Sequence, residues 1–115
     1  MQAMALPPTT HYESLVHGWQ SVFKITWEPM TRRGRPWLGG YLSSEYGFTA
    51  TRVQLLVDGV DQSGRTVSQN VSWLGSSIPP GARVYFEVPA PQPAASYRVS
   101  IFAFDSLQTA AVEAP

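Results

Sequence analysis

A chain of 115 residues, 43% hydrophobic and 14% charged, is sized for one domain with a sizeable core, and its eight basic and eight acidic side chains cancel. That balance excludes the basic field on which nucleic-acid binding depends, so no nucleic-acid partner is expected. The lack of cysteine excludes a disulfide framework and a thiolate metal site, and with no run near the roughly 20 apolar residues of a membrane helix the chain as given is not expected to span a membrane.

In chain order, residues 1–11 hold Pro7, Pro8, Thr9 and Thr10 and are expected to be a flexible segment. Ala3, Met4 and Ala5 make a small-x-small pattern similar to a signal-peptide cleavage region, which sets the expectation of a periplasmic or extracytoplasmic location. Residues 12–107 read as one domain. Tyr12 to Trp19 admits a helical turn but has no capping residue. From Trp19 the chain alternates, with Trp19, Phe23, Ile25 and Trp27 on one face, and the pattern predicts a strand.

Pro29 to Pro36 reads as an exposed loop because its Gly, Pro and Arg content breaks the alternation. Trp37 to Leu42 is a short strand interrupted by two glycines, and Ser43 to Thr51 is a polar loop carrying Tyr46 and Phe48. Arg52 to Val60 and Arg65 to Trp73 are strands joined by a turn at Asp61-Gln62-Ser63-Gly64, with Val67, Val71 and Trp73 in phase on the second. After the stiff Pro79-Pro80-Gly81 turn, residues 82–88 and Tyr97 to Phe104 complete the set, and 108–115 reads as a tail. Strands at this spacing, with no helical period, predict an all-β fold: an immunoglobulin-like β-sandwich of about six to seven antiparallel strands.

The order Leu38-Gly39-Gly40-Tyr41-Leu42, an apolar strand into Asp61-Gln62-Ser63-Gly64-Arg65-Thr66-Val67, then Ile78-Pro79-Pro80-Gly81, Phe86 and Tyr97-Arg98-Val99 resembles the FxLYD-type domain family. Where that family's signature places an aromatic, a leucine and a tyrosine before the aspartate, this chain has Val57, Gly59 and Val60 before Asp61. The resemblance implies a small bacterial β-sandwich of exported or membrane-anchored proteins, used for interaction or scaffolding without a catalytic site.

The residues themselves carry no catalytic constellation. There is no Gly-x-Ser-x-Gly elbow, and His11, Glu13 and His17 do not converge under either a strand or a helical period. Asp58 and Asp61 lack the dense oxygen donors that calcium takes. A carboxylate pair drawn from Glu28, Glu45, Glu87 and Asp105 is the one enzymatic arrangement left open. Asn70-Val71-Ser72 matches a glycosylation acceptor, but lies within a predicted strand.

No enzyme, cofactor or metal is therefore expected. The candidate binding residues are the loop cations Arg32, Arg33 and Arg35 with Trp37, since arginine forms bidentate contacts and stacks on rings, together with Tyr46 and Phe48. The expected function is a non-catalytic interaction or scaffolding module of a bacterial cell-envelope protein. It would contact another protein or a domain of its parent through loops and a strand edge, with weak homodimerisation as a further partner expectation. Four tryptophans in so short a chain support an alternative, a glycan-binding module with an exposed tryptophan platform.

Overall fold

The computed structural model describes residues 3–5 and 11–107. The expected tail, 108–115, lies outside the described residues, as does most of the expected N-terminal segment. Among the described residues seven strands form: β1 (Ala3–Ala5), β2 (Phe23–Arg32), β3 (Arg35–Ser44), β4 (Thr49–Val60), β5 (Thr66–Trp73), β6 (Arg83–Pro89) and β7 (Ser96–Leu107). They build two antiparallel sheets, ordered β1-β5-β4-β7 and β2-β3-β6. The chain is an all-β sandwich of two antiparallel sheets.

Two sequence expectations are corrected at the first strands. Trp19 does not start a strand: Trp19–Ser21 is a single 3-10 turn that follows Gly18 at φ 75°, with the Ser21 hydroxyl donating to the Gly18 carbonyl at 2.8 Å. The strand begins only at Phe23. Nor is 29–36 a loop. β2 continues through Pro29 to Arg32, and β3 returns from Arg35 after the two residues Arg33 and Gly34, at φ 51° and 74°. Two positive φ angles are what a type I′ turn requires, so the glycine here closed a tight hairpin where composition suggested a loop. Pro29 is tolerated because β2 is an edge strand. The predicted loop at 43–51 likewise shrinks to residues 45–48.

The β4–β5 hairpin forms where the sequence placed it. Asp61 Oδ1 accepts from the Ser63 amide at 2.9 Å, the Ser63 hydroxyl at 2.7 Å and the Arg65 amide at 2.9 Å. These donors, the Arg65 amide first and the Ser63 hydroxyl next, hold the Asp61 carboxyl below its ordinary 3.8. A carboxylate with a depressed folded pKa contributes stability above its unfolded pKa and loses it as pH falls through the folded one. Wild type is therefore expected to melt a few degrees above Asp61→Asn near neutral pH, with the gap narrowing below about pH 4 and closing in stronger acid. Thermal melts of both proteins across that range check it.

Between the sheets lie Phe23, Leu38, Leu42, Val53, Leu55, Val57, Phe86, Val88, Val99 and Ile101, all at 2% exposure or less. Strand β5 keeps Val67, Val71 and Trp73 on one face, as expected, but it is the outer face of the sheet. Its register sets Ser72 against Leu55 and Asn70 against Val57, so Ser68, Asn70 and Ser72 point into the sandwich while Val67 and Trp73 are exposed on the outer face. Val71 shares that outer face yet is buried, as are Gln69 and Leu56, because the segment after His11 straps across them. Gln69 exchanges hydrogen bonds with the backbone of Tyr12, and the Leu15 amide donates to the Phe102 carbonyl at 2.9 Å.

The β4–β7 ladder slips twice, around Arg52-Val53 and at Phe102. Arg52 takes φ 50° there. Each bulge shifts the side-chain phase, so Phe104 joins Ile101 at the core, edge-on to Phe23 at 5.2 Å, while Phe102 meets Tyr12.

Candidate interaction surface

The outward residues of the three-stranded sheet follow from register. Strand β3 offers Trp37, Gly39, Tyr41 and Ser43; opposite them stand Met30, Glu28, Thr26 and Lys24 on β2, and Pro89, Glu87, Tyr85 and Arg83 on β6. Tyr41 and Tyr85 are directly paired, edge-to-face at 5.2 Å, and 40% and 55% exposed. Their neighbours fix them. The Arg83 guanidinium lies 3.9 Å from the centre of the Tyr41 ring, and the Tyr85 hydroxyl donates to Glu87 at 2.9 Å. That bond favours the protonated phenol and raises the Tyr85 pKa above the ordinary 10.0, with desolvation a lesser cause. Glu87 also accepts from Arg32 at 3.1 Å, and Arg32 in turn covers the Trp37 ring at 4.5 Å.

The result is a continuous strip of tyrosine, arginine and tryptophan across three strands. Gly39, on which the Tyr85 hydroxyl rests, forms the floor of a trench of about 330 Å³ beside it, walled by Glu28, Met30, Tyr41 and Tyr85.

Edges matter as much as faces. Strand β2 carries Pro29, which has no amide to offer, and β7 already takes bonds from the Trp27 indole to the Tyr97 carbonyl at 3.0 Å and from the Leu15 amide. Among the described residues strand β6 pairs only with β3. Its other side is met at the far end, where Asn70 Nδ2 reaches the Pro89 carbonyl at 3.3 Å. From Arg83 to Val88 that edge is open to a further strand.

The six residues singled out from the sequence fall into two groups. Arg32 and Trp37 stack on the strip, with Arg33 and Arg35 at the adjoining hairpin. Tyr46 and Phe48 lie past the other end of β3. Tyr46 packs tilted on Phe23 at 6.0 Å and edge-on to Phe104 at 5.2 Å, its hydroxyl bonded to Ser106, so it plugs the end of the core; Phe48 covers it and is 45% exposed. Tyr41, Tyr85 and Arg83 were not singled out. Their signal was present: Tyr41 shares parity with Trp37, and Tyr85 with Arg83 and Glu87, opposite the buried Leu38, Leu42 and Phe86.

Of the four acids considered for catalysis, Glu45 pairs with Lys24 and Asp105 with Arg52. Glu28 and Glu87 stand on either side of Gly39 in register, but only Glu28 lines the trench, and Glu87 is committed to Arg32 and Tyr85 as an acceptor. Among the described residues no three His, Asp or Glu side chains gather as a metal site. The tryptophans are dispersed. Trp19 and Trp27 pack on the core, Trp37 is covered by Arg32, and Trp73 stands on the outer face of the other sheet. Asn70 of the glycosylation pattern is buried, with its amide turned to Pro89.

Neither family models, curated proteins nor solved structures yield a match to this chain.

Proposed function

We propose that this chain is a non-catalytic interaction module of a bacterial cell-envelope protein, binding another protein or a domain of its parent through the β6 edge and the adjoining outer face of the three-stranded sheet. The observation that carries the reading is the pairing of Tyr41 with Tyr85, both exposed, on and beside the open edge strand β6. An added strand supplies affinity through backbone bonds, and large aromatics with arginine beside it are the residue types that dominate interface energetics. Held in place by Arg83 and Glu87, these rings lose little freedom on binding. The envelope setting draws its support from the FxLYD resemblance; the Ala3-Met4-Ala5 pattern adds none, because those residues form strand β1 against β5. The glycan alternative draws less from the geometry, since the dispersed tryptophans make no common platform.

The test is photo-crosslinking from envelope extract, with a crosslinking analogue placed at Tyr85 in one protein and at Phe48 in another. A discrete adduct is expected from position 85, reduced roughly thirty-fold in yield or affinity by Tyr41→Ala, as for an interface hot spot. Equal adducts from both positions, or none from 85, contradict the reading.

A further inference from the structure

The chain's cations are almost all occupied. Of eight, Lys24, Arg32, Arg52, Arg65 and Arg98 each meet a carboxylate, and Arg83 lies on the Tyr41 ring. Arg33 and Arg35 are the two with no such partner among the described residues, and they flank a single glycine in the β2–β3 turn. Two exposed cations on one tight turn add up to a local positive field that an anionic partner would meet.

Arg33 is also misplaced by local criteria. The first central position of a type I′ turn suits asparagine, aspartate or glycine, yet here an arginine is held at φ 51°. A bulky residue kept in a disfavoured conformation points to a use for its side chain beyond the turn.

Arg35 borders two clefts. One, of about 440 Å³, lies between the hairpin and the segment Pro93–Tyr97; the other, of about 280 Å³, lies between Trp37 and the segment Pro89–Pro93. Pro36, which lines both, and Pro93 give no amide, and Met30 and Trp37 extend the apolar wall; Arg35 is the cation in either lining, joined by the neutral donors Thr31 and Ser96 in the first cleft and Gln92 in the second. The segment that forms the far wall is itself fixed, because the Tyr97 hydroxyl donates to the Gln92 carbonyl at 2.8 Å and accepts from the Ala94 amide at 3.1 Å.

We propose that the β2–β3 turn is an acidic-peptide site, in which Arg33 and Arg35 bind carboxylates of an extended partner segment while an apolar side chain next to them enters a cleft beside Pro36. This deepens, and rests on, the protein-binding reading, since the turn continues the same sheet face through Arg32 and Trp37. Apolar walls favour a peptide, because a sugar or a phosphate headgroup brings no aliphatic side chain to fill them.

The experiment measures fluorescence anisotropy of a short labelled peptide alternating aspartate and leucine, with the same peptide carrying asparagine for aspartate as control. Wild type is expected to prefer the acidic peptide, with the preference fading as salt rises. The Arg33→Asn/Arg35→Gln protein is expected to bind it about tenfold more weakly, while melting no lower than wild type because asparagine suits the turn. Equal binding of the two peptides, or unchanged binding by a folded variant, overturns the proposal. Tighter Arg33- and Arg35-dependent binding of phosphatidylglycerol vesicles or a sulfated oligosaccharide overturns it in favour of those anions. The Tyr85 cross-link does not depend on Arg33 or Arg35. A surviving cross-link with a null peptide result therefore removes the acidic-partner inference alone, and a lost cross-link removes the protein-binding reading beneath it.

Discussion

Replacing Gly40 by alanine is expected to lower the melting temperature by upward of roughly 15 °C or to abolish folding. A Cβ at this position would lie 1.8 Å from the Thr26 carbonyl oxygen and 2.8 Å from the Trp27 Cα. Both are backbone atoms of β2, so no rotamer change relieves the overlap, and the strands must part. Gly40 sits mid-ladder, opposite Trp27 on one side and Phe86 on the other, and parting there disrupts both pairings of β3 at once. A cost above about 3 kcal/mol, at the upper end for overpacking, is a large share of the roughly 5–15 kcal/mol that holds such a domain. Circular dichroism on heating reads the result directly. A melt within a few degrees of wild type would show that the β2–β3 approach is looser than described.

Phe86→Ala is expected to cost about 3–5 kcal/mol, the range for removing a buried aromatic ring. Phe86 is 1% exposed on the inner face of β6, paired with Gly40, which has no side chain to fill the space. Urea titration should show the midpoint falling with the slope unchanged, since the surface exposed on unfolding hardly differs. Tyr85→Ala, one residue away and facing outward, is expected to leave the midpoint within about 1 kcal/mol of wild type. The contrast separates what β6 contributes to the core from what it presents to a partner.

The two adjacent residues also show what was legible in advance. Alternation along 82–88 placed Val84, Phe86 and Val88 on one face and Arg83, Tyr85 and Glu87 on the other, and the fold follows it. Where the alternation failed, backbone geometry was the cause. The Arg33-Gly34 turn is made by two φ angles that composition cannot distinguish from a loop, and the β4–β7 bulges change phase with no residue marking them. Strand β5 misled for a different reason. Its valines face outward, where Val71 is buried and Val67 is exposed, and its inward Ser68, Asn70 and Ser72 leave side-chain oxygens without partners that no periodicity would assign to a core. As for the candidate site, the hairpin arginines and Trp37 were visible as a cluster. The Tyr41–Tyr85 pair was not, because it arises only when β3 and β6, far apart in sequence, come into register.

The most direct measurement is amide hydrogen exchange of the protein in complex with the partner trapped from Tyr85, compared with the free protein. Added protection concentrated at residues 83–88, with the 45–48 loop unchanged, is the predicted result. Protection confined to the 45–48 loop or to β7, with β6 exchanging as it does alone, would contradict the assignment of the β6 edge as the binding surface.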